Sequence, residues 1–70
     1  MQDNELDTRF TYHTPKGDQP QRYTMIREAA KEFAKLINNQ VPESREQSLA
    51  FTALEEAVMW ANAGIARREW

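Results

Sequence analysis

Apolar residues in the last two thirds of the chain recur with helical spacing in two separate blocks. The apolar positions are Tyr23, Ile26, Ala30, Phe33 and Ile37 in the first block, and Phe51, Leu54, Val58, Ala61 and Ile65 in the second. This alternating 3-4 spacing places each set on one face of an α-helix. The pattern predicts two amphipathic helices, over residues 18–40 and 44–68, and an all-α fold.

Turn-forming residues mark where these two helices begin and end. Residues 16–20 read KGDQP and residues 38–42 read NNQVP. We expect the Asp18 carboxylate to accept hydrogen bonds from free amides of the first helix. Ser44 and Gln47 have the spacing of a capping box, in which each side chain bonds the other residue's backbone amide. The short connection predicts an antiparallel hairpin.

The first 17 residues lack this helical pattern. Residues 1–8 are polar and are predicted to be mobile, whereas residues 9–17 contain β-branched and aromatic side chains that favour extended structure. Pro15 also biases Thr14 towards an extended conformation. We therefore expect an extended N-terminal arm over residues 9–17, followed by the hairpin, within one domain spanning residues 1–70.

Each predicted helix has a second face that also requires burial. The additional apolar or small residues are Met25, Ala29 and Leu36 in the first helix, and Ala50, Ala53, Ala57 and Gly64 in the second. One partner helix covers only one face, and a 70-residue chain without cysteine has no disulfide to supplement a small core. Trp60 and Trp70 are also difficult to bury within two helices. The sequence predicts a homo-oligomeric helical bundle.

Charge and hydropathy exclude several classes of partner. The net charge is −2, and neither predicted helix has a basic face, which argues against duplex nucleic acid and helix-turn-helix DNA binding. The N-terminal segment has no apolar signal region, and no apolar run approaches the roughly 18 residues of a membrane span. We expect a cytoplasmic protein without a membrane partner.

Catalysis is not expected from this composition. The chain has no cysteine, one histidine and two glycines, Gly17 and Gly64, so it has neither a nucleophilic triad with a histidine base nor a glycine-rich phosphate loop. The adjacent carboxylates of Glu55 and Glu56 are typical of a solvated helix face, although carboxylates alone can act as acid and base. We expect no enzyme activity, no metal site and no cofactor.

The strongest candidate for binding chemistry is the arm sequence from Phe10 to Lys16, FTYHTPK. Tyr12 and His13 supply rings on which a nucleobase can stack, and Lys16 supplies a cation for phosphate. Two simpler interpretations remain open. Phe10 and Tyr12 could pin the arm to the helices, and His13 could be an ordinary surface imidazole.

Three arginines are candidates for anion binding. Arg27 is one position away from the apolar stripe, so it can border an interface and contact a ligand held between chains. Arg67 and Arg68 end the second helix, where cations also offset the helix dipole. In a symmetric oligomer, however, one arginine from each chain converges around the axis and forms a multivalent anion site.

Long stretches of the chain resemble a known family. Residues 10–23 read FTYHTPKGDQPQRY, residues 26–37 read IREAAKEFAKLI, and residues 44–67 read SREQSLAFTALEEAVMWANAGIAR. They are similar to the compact hairpin family of phage proteins that counter CBASS immunity, which are relatives of the longer anti-Thoeris sponges. The similarity covers nearly all of residues 9–68.

The resemblance implies a homohexamer, built as a dimer of trimers, in the cytoplasm of the infected bacterial host. Such proteins bind cyclic dinucleotides such as 3′,3′-cGAMP between protomers without cleaving them, and some bind cyclic trinucleotides such as cyclic tri-AMP on the trimer axes. By resemblance, Tyr12 stacks on a base and Arg27 meets the phosphate. His13 with Arg67 or Arg68 is the candidate second, axial pocket, and Lys16 either serves the first pocket or flanks the turn.

A helical adaptor is the alternative function. Such a protein would bind a host or phage protein through its apolar face and would not need Tyr12 or Lys16. The longer relatives carry β-structure that this chain lacks, so the resemblance favours cyclic oligonucleotides over signals of the cyclic ADP-ribose type.

Overall fold

The structure, a computed structural model, describes residues 2–69. Over these residues the chain forms three helices and no strand: α1 (Asp3–Phe10), α2 (Gln19–Gln40) and α3 (Arg45–Arg68). α2 packs against α3, and a short turn joins them into an antiparallel hairpin. The predicted all-α hairpin is confirmed. The hairpin helices were predicted over residues 18–40 and 44–68.

The N-terminal segment differs from the prediction. Residues 3–10 form α1, where we expected a mobile segment over 1–8 and the start of an extended arm over 9–17. The reason is local charge: two acidic residues occupy the first turn, and Arg9 Nε donates to Glu5 Oε1 at 3.1 Å one turn away. Both features stabilise a helix. The non-helical connection to α2 is therefore residues 11–18, shorter than the predicted extended segment, and we call these residues the arm from here on.

The start of α3 has the predicted cap in part. The Gln47 backbone amide donates to Ser44 Oγ at 3.1 Å. The Gln47 side chain does not return to the Ser44 amide; its Nε2 donates instead to the Val41 carbonyl at 3.0 Å, and the residue is buried. Gln47 thus ties the end of α2 to the beginning of α3 and fixes the turn between them.

The start of α2 uses a different cap from the one we expected. Asp18 has φ −90° and ψ 6° and makes no side-chain cap bond, because this backbone is not the extended conformation that aims an N-cap side chain at the amides. The Lys16 amide donates to Gln19 Oε1 at 3.1 Å instead. Gly17 between them has φ 58°, a conformation that glycine adopts without strain.

The protein is a slab one helix thick. Its extents are 46 × 29 × 12 Å, and the smallest equals the diameter of a single helix with its side chains. Among residues 2–69 no apolar side chain is buried, and the only buried side chains are those of Gln19 and Gln47. A layer this thin has no interior, so apolar residues between α2 and α3 are covered on at most one or two sides.

Most of the predicted apolar stripe lies between α2 and α3 and is half-buried. The half-buried members are Tyr23, Ile26, Ala30, Ile37, Phe51, Leu54, Val58 and Ile65. Phe33 and Ala61 were predicted with them but are exposed, as are Met25 and Leu36 of the second stripe. Trp60 is 64% exposed, whereas Trp70 lies outside the described residues. Within residues 2–69, no helix is long and apolar enough to cross a membrane.

Three side chains, which we name the terminal clasp, join the start of α2 to the end of α3. Both terminal nitrogens of Arg22 donate to the Glu69 carboxylate at 2.7 Å, and Gln19 Nε2 donates to the same carboxylate at 3.2 Å. The Arg22 hydrogen bonds, with that of Gln19, hold the pKa of Glu69 below its ordinary value of 4.5. The clasp closes the open end of the hairpin.

Replacing Ser44 with alanine removes the hydroxyl that accepts from the Gln47 amide. We expect Ser44→Ala to lower the free energy of unfolding by about 1 kcal/mol, measured by urea denaturation at fixed protein concentration. Ser48→Ala is the control, because Ser48 is exposed inside α3 and alanine favours a helix there. Equal losses in both variants would contradict the capping role.

The clasp predicts how stability depends on pH. Folding lowers the pKa of Glu69 from its ordinary value of 4.5. The contribution of Glu69 to stability is therefore complete when the pH is above that ordinary pKa, and it is lost as the pH falls through the pKa of the folded protein. Glu69→Gln should therefore lower the melting temperature at pH 7, and the difference from the parent protein should shrink below pH 4.5. Glu56→Gln, at an exposed position of α3, should show no such dependence.

Candidate functional site

The three arm residues predicted to bind a ligand are close together in the structure. They line one small cavity, which we name the arm cavity, of about 260 Å³. Its lining residues are Tyr12, His13, Thr14, Lys16, Gln19 and Ala66. Since Gln19 belongs to α2 and Ala66 to α3, the cavity lies where the arm crosses the clasped end of the hairpin.

Hydrogen bonds on both sides hold the arm in place. His13 Nε2 donates to the Thr8 carbonyl of α1 at 2.8 Å, and the Lys16 amide donates to the side chain of the buried Gln19. Tyr12 directly precedes His13 in the chain, and the residue is 81% exposed. A fixed backbone with an exposed ring and a neighbouring cation is suited to stacking on a base and pairing with its phosphate.

Arg27 lies in a different place. It borders an open groove between α2 and α3 of about 640 Å³, which we name the α2–α3 groove. The groove is lined by Arg27, Ala30, Lys31, Ala34, Phe51, Leu54, Glu55, Val58 and Met59. Arg27 does not line the arm cavity, so a single chain does not bring Tyr12 and Arg27 into one pocket.

Arg67 and Arg68 line a third pocket, of about 270 Å³, at the C-terminal end of α3. This C-terminal pocket is lined by Arg9, Trp60, Ala63, Gly64, Arg67 and Arg68. His13 does not line it, so the predicted pairing of His13 with Arg67 or Arg68 is not made within one chain.

Sequence reasoning missed two lining residues of the C-terminal pocket, Arg9 and Trp60. Helical spacing could have indicated Trp60, because Gly64 lies four residues after it and Arg67 three residues after Gly64. Residues at these spacings share one face of a helix. For Arg9 the sequence contains a signal for α1 itself, the four-residue spacing from Glu5 to Arg9, but not for the approach of α1 to the end of α3.

Glu5 supplies a negative charge beside this pocket. Its carboxylate is 3.2 Å from the nearest nitrogen of Arg68 and 3.1 Å from Arg9 Nε. Hydrogen bonds first from Arg68 and then from Arg9 lower the pKa of Glu5. The carboxylate is therefore charged at neutral pH and neutralises part of the arginine cluster.

The hairpin exposes a second apolar surface, which we name the Phe33 face. It is lined by Ile26, Ala29, Ala30, Phe33, Leu54, Ala57, Val58 and Ala61. Phe33 is 54% exposed there. No group of three or more metal-ligating side chains occurs within residues 2–69. The chemistry that the described surface offers is stacking, anion pairing and apolar contact.

Comparison with known proteins identifies the family. No curated protein and no solved structure matches the chain significantly. The family model for the Acb2/Tad1 hairpin domain matches residues 2–66, which include Tyr12, His13, Lys16 and Arg27. This match confirms the resemblance to the phage sponges and implies a cyclic nucleotide sponge role in phage immune evasion. The chain therefore belongs to the Acb2/Tad1 hairpin domain family.

Proposed function

We propose that this protein binds cyclic di- and trinucleotide messengers of CBASS and sequesters them, without cleavage, in the cytoplasm of the infected bacterial host. The observation that carries the proposal is the arm cavity, in which an exposed tyrosine ring lies beside an imidazole and a lysine. Nucleobases stack on such rings, and phosphates pair with such cations. Family membership supplies the class of ligand.

Self-association is part of the proposal, as a homohexamer built from two trimers. Ten large apolar side chains within residues 2–69 are exposed, which is unusual for a monomer of this size. The α2–α3 groove and the Phe33 face lie over the same stripe of Ala30, Leu54 and Val58. Packing between copies would remove both surfaces from water and provide the missing hydrophobic burial.

The separation of Tyr12 from Arg27 also supports a pocket shared between chains. Tyr12 lines the arm cavity and Arg27 lines the α2–α3 groove. In the proposed cyclic dinucleotide site, the arm of one protomer stacks on a base through Tyr12, and Arg27 of a neighbouring protomer grips a phosphate. Lys16 adds a cation on the arm side.

Cyclic trinucleotides are proposed to bind a second pocket that involves His13, Arg67 and Arg68. Arg67 and Arg68 end α3, where three copies around an axis would present a ring of cations to three phosphates. His13 lies in the arm cavity and would reach this site from another protomer.

Sequestration requires no chemical step. A sponge lowers the free messenger concentration by binding it stoichiometrically, so the dissociation constant and the protein abundance decide the outcome. The immune effector then stays inactive because its activating messenger is depleted.

A helical adaptor is the second candidate function, and the exposed Phe33 face favours it. An adaptor would bind a partner protein through that face and would not use the arm. Replacing Tyr12 and Lys16 with alanine should abolish nucleotide binding by a sponge and leave partner binding by an adaptor unchanged.

Isothermal titration of the purified protein with 3′,3′-cGAMP tests the main proposal. We expect tight binding, and chromatography of the released ligand should recover it unaltered. Tyr12→Ala should weaken binding by about 1–3 kcal/mol, and Tyr12→Phe should retain most of the affinity because it keeps the ring. Absence of heat with both 3′,3′-cGAMP and cyclic tri-AMP would contradict the sponge function.

Sedimentation equilibrium tests the assembly. The 8.2 kDa chain should sediment as a hexamer, and Phe33→Glu should shift it towards smaller species because a charge in an apolar interface is costly. Gln21→Glu adds the same charge at an exposed polar position of α2 and should not change the mass. A monomeric parent protein would refute the assembly.

A further inference from the structure

The C-terminal pocket has a feature that nucleotide sequestration alone does not require: a carboxylate of the chain itself pairs with two of its arginines. Glu5 Oε1 accepts from Arg9 Nε at 3.1 Å and from Arg68 at 3.2 Å, while Glu5 Oε2 accepts from Arg68 at 3.5 Å. The three side chains join α1 to the end of α3. A carboxylate in this position makes the contacts that a ligand phosphate would make.

The remaining pocket residues suit a nucleotide. Arg67 is half-buried and makes no hydrogen bond or ion pair within the described part of the chain. Trp60 lines the same pocket and is 64% exposed, so its indole presents a stacking surface. Three guanidinium groups beside an indole provide the phosphate pairing and base stacking by which proteins bind single-stranded nucleotides.

We propose that Arg9 and Trp60 complete the cyclic trinucleotide pocket with Arg67 and Arg68, and that Glu5 is an internal competitor that the ligand phosphate displaces. The inference rests on the proposed sponge function and adds to it two binding residues and a built-in counter-anion.

The ion pairs of Glu5 are suited to displacement because they are open to solvent. The side chain of Arg68 is 62% exposed and that of Glu5 is 32% exposed in their pair. Exposed ion pairs contribute little to stability and are screened by salt. In the proposed ring of three chains, each phosphate of a cyclic trinucleotide meets one such carboxylate, so the ligand displaces weak ion pairs and loses part of its affinity to the exchange.

The test is titration of the full-length protein with cyclic tri-AMP at constant salt. We expect Glu5→Gln to tighten binding by about threefold to tenfold, the range given by loss of weak competing ion pairs, and to leave the affinity for 3′,3′-cGAMP unchanged. Asp7→Asn is the matched control: it removes the same charge from an exposed position of α1 and should change neither affinity by more than about 1.5-fold.

Two further variants test the new binding residues. Arg9→Gln and Trp60→Leu should each weaken cyclic tri-AMP binding, and circular dichroism and sedimentation should show unchanged helix content and mass. Retained affinity in a folded, correctly assembled variant would remove that residue from the pocket.

The remaining outcomes separate this inference from the sponge function. If Glu5→Gln binds cyclic tri-AMP no more tightly than the parent protein, Glu5 supports the pocket rather than competing for it, and the competitor role is overturned. If neither protein binds cyclic tri-AMP but both bind 3′,3′-cGAMP, the C-terminal pocket is overturned and the sponge function stands. If neither ligand binds either protein, the sponge function itself fails.

Discussion

The constraint that governs this protein is its thickness. At 12 Å the chain is a single layer of helices, and within residues 2–69 no apolar side chain is buried. The hydrophobic effect, which supplies most of the free energy of folding, is therefore only partly satisfied by the contact between α2 and α3. The same deficit explains why two apolar surfaces remain on the hairpin, and why assembly is central to the proposed function.

Because apolar packing is weak, polar contacts decide how the ends of the chain are arranged. Gln47 fixes the turn between α2 and α3, and the clasp of Gln19, Arg22 and Glu69 closes the opposite end. Gln19 also bonds the arm at Lys16, so the same buried amide aligns the helices and forms the arm cavity. The fold and the proposed binding chemistry thus depend on one small set of hydrogen bonds.

Local features of the structure could be predicted from the sequence where neighbouring residues determine them. The two long helices follow from apolar spacing, and the Ser44 cap follows from its distance to Gln47. Tyr12, His13 and Lys16 come together because they are close in the chain. The helix α1 was not predicted, because the β-branched and aromatic residues around Phe10 favour extended structure, whereas in the structure the Glu5–Arg9 pair stabilises a helix.

By itself the sequence determined a helical hairpin with more apolar surface than one chain can bury, and an arm with stacking and cationic groups. It also determined the family. Each of these depends on local spacing or on an extended motif. Only the tertiary structure decided that Arg27 lies apart from Tyr12 and that Arg9 and Glu5 meet Arg68. Those relations join residues far apart in the chain. They depend on how α1 and the arm cross the end of the hairpin, and periodicity carries no information about that crossing.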